Sequence, residues 1–309
     1  MPRLALVALL ALACLTACGS AGGDGGSGSP ENGPILVAKF GGLGGIFRRD
    51  VDGSLHSLTT NERDSFPTWS PDGRLIAFER LFGDQGASHL FVMDRDGGNV
   101  HQIGDVVTFS EQLAWSPDSK ELLFAGEDGF RTVGVDGSGE RVLLRDQHGL
   151  AHRPAWSPDG ETIAFVRTGV GLVTVDADGG KERVLVRLRP LDDKHFEQFF
   201  APAWSPDGKE VAFLRSDLAR LTAEKGNPTS LEVVNKAGGD PRVITDVGTF
   251  AASADIVHPA WSPDGTSIAF ADTRGDTDGI WVVSSGGGKP RLLLEGDQYS
   301  MPSWGSAGT

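Results

Sequence analysis

Side chains that could bind or transform a ligand stand at comparable places in this chain, a few residues before a recurring tryptophan. They provide carboxylate, imidazole, guanidinium, amide and aromatic groups: Asp64, Glu111, Gln112, His152, Arg153, Phe200, Asp255, His258 and Tyr299. This mixture is typical of a site for a small molecule or a peptide. The imidazole and carboxylate groups of His152, Asp255 and His258, together with Glu111, can also ligate one divalent metal. A solvated polar rim explains the same residues without a ligand, and their wide separation in sequence leaves both interpretations open.

Motifs that define a catalytic mechanism are missing from the sequence. It contains no G-x-S-x-G nucleophile elbow, no H-E-x-x-H zinc motif and no P-loop. We therefore predict no catalytic residue and no obligatory cofactor, and a bound divalent metal stays an open alternative. We expect that the protein is not an enzyme, although the sequence leaves enzymatic activity open.

The tryptophans beside these residues begin a repeated pentapeptide, Trp-Ser-Pro-Asp-Gly. Four copies are complete, Ser119 replaces the last glycine of a fifth copy, and the sixth copy is degenerate. The six tryptophans are Trp69, Trp115, Trp156, Trp204, Trp261 and Trp304. A period of about 45 residues is typical of a β-propeller, in which each repeat forms one four-stranded blade.

Each repeat predicts four antiparallel strands, termed A to D in chain order, with the tryptophan in strand A. In the first repeat, β-rich runs at residues 75–78, 90–94 and 100–103 follow the tryptophan. Residues 35–59 contain three such runs without a strand A, whereas residues 302–304 resemble a strand A without followers. Because the two ends complement each other, we predict an all-β, six-bladed propeller closed by pairing of N- and C-terminal strands.

The residue types of the pentapeptide suit a tight turn between strands A and B. Proline presets the φ angle of a type I turn, aspartate bonds nearby backbone N–H groups, and glycine takes the following positive φ. The preceding tryptophan can bury its ring between neighbouring blades. Repetition in every blade indicates that these tryptophans and aspartates are structural.

The N-terminal residues predict export and anchoring. Residues 1–17 combine Arg3, an apolar stretch and a small-residue cleavage site, as a lipoprotein signal peptide does. Cys18 ends a Leu-Thr-Ala-Cys sequence that resembles a bacterial lipobox, which implies lipid on its thiol; the alternative is a secretory signal with a chance cysteine. Residues 18–34, rich in Gly and Ser, predict a flexible tether, and residues 35–309 the propeller. We expect the protein outside the cytoplasm, lipid-anchored to the membrane in the cell envelope or periplasm.

The longer pattern around the pentapeptide, PxWSPDGxxIAF followed by VxDxDGG, resembles the TolB-like propeller repeat of bacterial envelope proteins. The resemblance covers residues 35–309 and implies the propeller fold. TolB itself has an additional N-terminal α/β domain for which this chain has no room. The resemblance is therefore to the propeller family, and the binding partner of TolB is not carried over.

Function is expected where the connections between strands vary. The A–B and C–D turns share one face and are short, whereas the B–C and D–A connections share the other and are longest at residues 190–202, 215–230 and 246–259. We predict an envelope module that binds a protein, peptide or saccharide on that second face. The alternative is a metal-dependent lyase or hydrolase acting on envelope carbohydrate or peptide at the channel mouth. A formal charge of −14 without a basic stripe argues against nucleic acid as a partner.

Overall fold

The computed structural model describes residues 33–40, 44–82, 87–108, 112–146, 151–190, 197–216, 229–247, 258–274, 277–296 and 299–306. All of them belong to one compact unit, Glu31–Thr309. The predicted signal peptide, Cys18 and most of the predicted tether lie outside the described residues. No helix in the described ranges is long and apolar enough to cross a bilayer.

The described chain consists of short strands. In chain order they are β1 (Ile35–Lys39), β2 (Gly45–Arg49), β3 (Leu55–Ser57), β4 (Asp64–Trp69), β5 (Leu75–Leu81), β6 (Ser88–Asp94), β7 (His101–Thr108), β8 (Ala114–Trp115), β9 (Glu121–Gly126), β10 (Gly129–Gly134), β11 (Arg141–Arg145), β12 (Ala151–Trp156), β13 (Thr162–Arg167), β14 (Gly171–Asp176), β15 (Glu182–Arg187), β16 (Gln198–Trp204), β17 (Glu210–Ser216), β18 (Thr229–Asn235), β19 (Arg242–Val247), β20 (Ala260–Trp261), β21 (Ser267–Arg274), β22 (Thr277–Ser284), β23 (Arg291–Glu295) and β24 (Tyr299–Trp304).

These strands form six antiparallel sheets of four strands each. Blades 1 to 5 follow chain order, from β4–β7 to β20–β23. In blade 6 the C-terminal β24 pairs with β1, and β2 and β3 complete the sheet. The predicted six-bladed all-β propeller, closed by strands from both ends of the chain, is confirmed.

The hydrophobic core lies at the six interfaces between neighbouring blades. Between blades 6 and 1, for example, Leu36 and Ile46 pack against Ile76 and Phe78. Strand B of each of the first five blades buries one phenylalanine completely: Phe78, Phe124, Phe165, Phe213 and Phe270. Because both faces of each blade are covered, strand B is a continuous apolar run instead of alternating with polar residues.

The pentapeptide turns have the predicted geometry. In blade 1, the N–H of Gly73 donates to the carbonyl of Ser70 at 2.8 Å, and Gly73 has a φ of 69°. Ser119, which replaces the glycine in blade 2, makes the same bond with a φ of 62°. We call the face that carries these turns and the C–D turns the turn face, and the face that carries the B–C and D–A connections the loop face.

Strand A is longer than the sequence predicted in four blades. It begins at Asp64, Ala151, Gln198 and Tyr299, so the residues expected to precede it lie within it. In blades 2 and 5 strand A has two residues, β8 and β20. The polar residues predicted at the channel mouth are therefore parts of the innermost strands in most blades.

Candidate functional site

The repeated aspartates are held by hydrogen bonds within their own turns. In blade 4, the Ser205 hydroxyl donates to Asp207 Oδ1 at 2.7 Å, and the Lys209 N–H donates to the same oxygen at 3.1 Å. The Lys209 side chain, followed by the Ser205 hydroxyl, lowers the pKa of Asp207 to about 2. Equivalent serine–aspartate bonds of 2.6 to 2.7 Å occur in blades 1, 2, 3 and 5. These carboxylates therefore stabilise turns, as their repetition indicated.

Three of the repeat tryptophans cap the inner edge of the preceding blade. The indole N–H of Trp115 donates to the carbonyl of Thr68 at 3.2 Å, and that of Trp204 to Ala155 at 3.1 Å. Trp261 bonds Ala203 in the same way. Strand A pairs only with strand B, so its other edge faces the channel. The indole thus satisfies a carbonyl that the sheet leaves open.

The closing junction between blades 6 and 1 departs from this pattern. Trp69 Nε1 is buried and has no hydrogen-bond partner among the described residues. A Cβ placed on Gly305 would lie 2.8 Å from Nε1 and Cε2 of Trp69. The Trp69 ring therefore packs directly on the backbone of Gly305, at the position where the complete copies of the repeat have serine.

The residue three positions before the tryptophan has a left-handed backbone in four blades. The φ angles are 50° at Phe66, 55° at Arg153, 48° at Ala201 and 52° at Met301. Each of these residues precedes a proline and lies at a bulge, such as the one between Ser65 and Thr68 in blade 1. Such a conformation costs about 1–3 kcal/mol per residue and is uncommon before proline. Because the conformation recurs at the same position of strand A in four blades, we interpret it as a structural feature that redirects these side chains.

At this level, side chains contact residues of blades that are not their neighbours. The rings of Phe66 in blade 1 and His258 in blade 5 are 5.4 Å apart. Gln112 in blade 2 donates from Nε2 to the carbonyl of Pro202 in blade 4 at 3.1 Å. The N–H of Phe66 also lies 3.3 Å from Met301 Sδ. Because blades 1 and 5, and blades 2 and 4, are not neighbours, these contacts constrict the channel.

A cavity of about 520 Å³ lies in the channel between this constriction and the turn face. All six repeat tryptophans line it, and the prolines of five turns surround its outer end: Pro71, Pro117, Pro158, Pro206 and Pro263. Its described lining includes no Lys, Arg, Asp or Glu, and His258 is the one titratable side chain in that lining. The described lining therefore combines polar and apolar surface in comparable amounts, with Gln112 and His258 at its inner end.

The structure places the other predicted mouth residues away from the cavity. Asp64 is fully buried and bonds the Arg80 guanidinium at 2.6 Å and 3.0 Å. Tyr299 is 7% exposed, with the edge of its ring packed against another aromatic ring. The Arg153 guanidinium stacks over Phe200 at 5.1 Å. Of the residues predicted to line the channel mouth, Gln112 and His258 both lie in the described cavity lining. That any of the predicted residues binds a ligand stays a prediction.

The structure describes two of the four predicted metal ligands, His152 and His258. Glu111 and Asp255 lie outside the described residues. His152 lies in β12 opposite Val166, and His258 packs on Phe66. Among the residues that the structure describes, no group of three or more His, Cys, Asp or Glu side chains is placed to hold a metal ion.

Sequence reasoning missed a buried ion-pair network on the loop face. In blade 4, Arg215 bonds Glu197 at 3.0 Å and Glu232 at 3.0 Å, and its guanidinium stacks over Phe199 at 5.0 Å. These side chains are 12%, 11% and 7% exposed for Arg215, Glu197 and Glu232. The recurrence of arginine two residues after the buried phenylalanine of strand B, at Arg80, Arg167 and Arg215, was the signal available in the sequence.

Comparison with known proteins places the chain in a family. Residues 135–309, more than half of the chain, match the model of the TolB beta propeller domain. The uncharacterized peptidase YuxL of Bacillus subtilis is 29% identical over 129 residues, which cover 41% of this chain and only 18% of that relative's length. The structure of TolB from Acinetobacter baumannii has a TM-score of 0.68 at 18% identity, covering 89% of this chain and 67% of that one. An oligogalacturonate lyase in complex with manganese has a TM-score of 0.56 at 14% identity, covering 87% and 76%. At such identities the solved structures show a shared fold alone. On the match to its family model, this chain belongs to the TolB beta propeller domain family.

Proposed function

We propose that this protein is an extracytoplasmic binding module of the cell envelope, anchored through lipid on Cys18, whose protein partner docks on the loop face. The observation that carries the proposal is the Arg215 network. It joins Glu197, at the end of the 191–196 connection, to Glu232 in β18, which follows the 217–228 connection. Loops with rigid bases on a propeller scaffold are suited to present a binding surface.

The entry of the chain into the propeller supports the same orientation. The N–H of Gly305 donates to the carbonyl of Pro34 at 2.8 Å, and the Trp304 indole donates to the carbonyl of Gly33 at 3.2 Å. Residues 33 and 34 thus join blade 6 at the turn face. A flexible tether of residues 19–32 would reach roughly 19–22 Å root-mean-square from there. A lipid on Cys18 would therefore turn the loop face away from the membrane, where a partner can reach it.

The metal-dependent lyase or hydrolase considered from the sequence gains no support from the described residues. Their side chains form no metal-binding group, and the part of the cavity lining that the structure describes has no carboxylate for acid–base chemistry.

The docking face is tested by photocrosslinking in cells from two exposed positions of blade 3. A photoreactive residue replaces Arg189 on the loop face or Asp178 on the turn face. We expect a defined protein adduct from position 189 and none from position 178. Adducts from position 178 alone, or equally from both, would contradict the placement.

Two further variants complete the test. Replacing residues 217–228 by a short Gly-Ser turn, with Arg215 kept, should abolish the position-189 adduct while leaving the melting temperature unchanged. Cys18→Ser should move the protein from the membrane fraction to the soluble envelope fraction; unaltered membrane retention would refute the lipid anchor.

A further inference from the structure

The C–D turns of blades 6 and 1 carry exposed apolar side chains. Val51 lies in the turn between β2 and β3 and is 56% exposed, and Leu55 at the start of β3 is 39% exposed. Val100, between β6 and β7, is 41% exposed. These three are half of the exposed large hydrophobic side chains among the described residues, and they lie on the turn face of two neighbouring blades. Apolar side chains grouped in this way mark a surface that contacts a protein or a membrane.

Two contacts hold these turns side by side. The guanidinium of Arg48 in β2 donates from Nη1 to the carbonyl of Arg95 in the blade 1 turn at 2.8 Å. In the same turn, a Cβ on Gly97 would lie 3.1 Å from the carbonyl oxygen of Leu58, the residue after β3. The exposed valines and leucine therefore belong to one part of the rim of the turn face.

Exposed arginines accompany the apolar side chains in blade 1. The N–H of Arg95 donates to the carbonyl of Arg74 at 3.0 Å, so the two residues are neighbours on the turn face. Arg95 is exposed, and the Arg74 side chain is 85% exposed with its Nε 4.0 Å from the Asp72 carboxylate. Guanidinium groups bind phosphate oxygens, which every phospholipid headgroup provides. Apolar side chains beside guanidinium groups are typical of a surface that rests on a layer of phospholipid headgroups.

Blade 3 shows that this combination is not a general property of the repeat. The N–H of Ala177 makes the same bond to the carbonyl of Glu161 at 2.9 Å, so these residues occupy the positions of the two arginines. Glu182 stands at the position of Val100, six residues after the end of strand C. The corresponding side chains of blade 3 are therefore acidic or small.

The entry of the chain into the propeller selects the lipid surface as the occupant of this rim. Residues 33 and 34 join blade 6 at the turn face, through the bonds from Trp304 and Gly305. Residues 19–32 alone separate them from Cys18, so the predicted tether is too short to carry the turn face far from the bilayer. With lipid on Cys18, the headgroup layer is within reach of the rim at a high effective concentration.

We propose that the rim formed by Val51, Leu55, Val100, Arg74 and Arg95 rests on the phospholipid surface and gives the propeller a preferred orientation there. The proposal rests on the proposed lipid anchor at Cys18. Half of the transfer free energy of one valine side chain corresponds to about a threefold population ratio. Three such side chains therefore suffice to orient a tethered propeller, although the contact is too weak to retain an unanchored one on the membrane.

Thiol accessibility on proteoliposomes of phosphatidylethanolamine and phosphatidylglycerol tests the proposal with the full lipidated chain. Asp96→Cys reports from the rim, and Asp178→Cys is the matched control in blade 3. The two aspartates occupy the same turn position, where each accepts a hydrogen bond from the N–H of the glycine two residues later, at 3.0 and 2.9 Å. The rate of labelling by a membrane-impermeant maleimide is measured before and after the propeller is released at a protease site placed in the tether. We expect release to speed labelling at position 96 by about threefold or more and to leave position 178 unchanged.

The combined variant Val51→Ser, Leu55→Ser and Val100→Ser, made in the Asp96→Cys chain, should lose this protection with an unchanged melting temperature, because all three side chains are exposed. Equal rates at position 96 before and after release, equal protection of position 178, or protection that survives the triple substitution would refute the proposal. Protection that persists after release and grows with protein concentration would assign the rim to a second copy of this chain instead. A chain absent from the membrane fraction refutes the Cys18 anchor and this proposal together, whereas an anchored chain with an unprotected rim refutes this proposal alone.

Discussion

Adding a single methyl group to Gly305 tests how the ring is closed. A Cβ on Gly305 would lie 2.8, 2.8 and 2.9 Å from Cε2, Nε1 and Cδ1 of Trp69. Cβ atoms in proteins essentially never come within 3.0 Å of another heavy atom in this way, so the two residues would clash. Trp69 is 6% exposed and packs in the interface between blades 6 and 1, so its ring cannot simply swing away. The better-preserved repeats have serine here, and consensus reasoning would predict that Gly305→Ser stabilises the protein. The structure predicts the opposite.

Overpacking of a buried contact costs typically about 1–3 kcal/mol. For a propeller of this size each kcal/mol lowers the melting temperature by roughly 2 °C, so Gly305→Ala should melt about 2–6 °C below the parent. Urea denaturation should show a lower midpoint with an unchanged slope, because the change acts on the native state.

The matched control is Gly286→Ala. Its added Cβ would meet only Ser284 Oγ, at 3.7 Å, so its stability should equal or exceed that of the parent. Trp69→Ala removes every ring atom that would clash, and Gly305→Ala should cost clearly less in that background than with Trp69 present. If Gly305→Ala were as stable as Gly286→Ala, or equally costly with and without Trp69, the proposed contact would be refuted.

Two further predictions concern charged groups. The folded-state pKa of Asp207, about 2, lies below its ordinary value of 3.8, so its ionised form stabilises the fold above about pH 4 and this contribution is lost as the pH falls towards 2. Asp207→Asn should flatten the stability curve in that window, measured by urea denaturation from pH 5 to pH 2.5; an identical acid limb would count against it. Arg215→Met leaves Glu197 and Glu232 buried without their cation, and should cost about 3–5 kcal/mol in urea denaturation. Changing both glutamates to glutamine in the same chain should recover most of that loss, and a single-variant cost below about 0.5 kcal/mol would contradict the network.

The features that the sequence predicted correctly depend on short stretches of chain. The turn bonds of Ser205 and Asp207 join residues at most five positions apart, so both partners of each bond lie in the pentapeptide or in the two residues after it. The number of blades followed from the tryptophan spacing and from the complementary ends. The closure itself is visible in the pairing of Ile35 with Trp304.

The candidate site was predicted only in part because its contacts join distant residues. From the sequence we expected Asp64 to face a ligand. In the structure it is buried, and its carboxylate accepts a hydrogen bond from Arg80 in the next strand. Phe66 lies two residues after the predicted site residue Asp64, but its contact with His258, in the fifth blade, depends on the width of the channel. The proline after each left-handed residue was visible in the sequence, but the bulge there needs the strand pairing.

The sequence by itself determined the repeat, the strand order, the tight turns and the closing of the ring, because each depends on backbone geometry repeated at a fixed period. The tertiary structure decided which side chains meet across the channel, which face the cavity reaches and why Gly305 must lack a side chain. Those distances result from the tilt of six blades and from the rotamers at six packed interfaces. No local stretch of the chain contains that information.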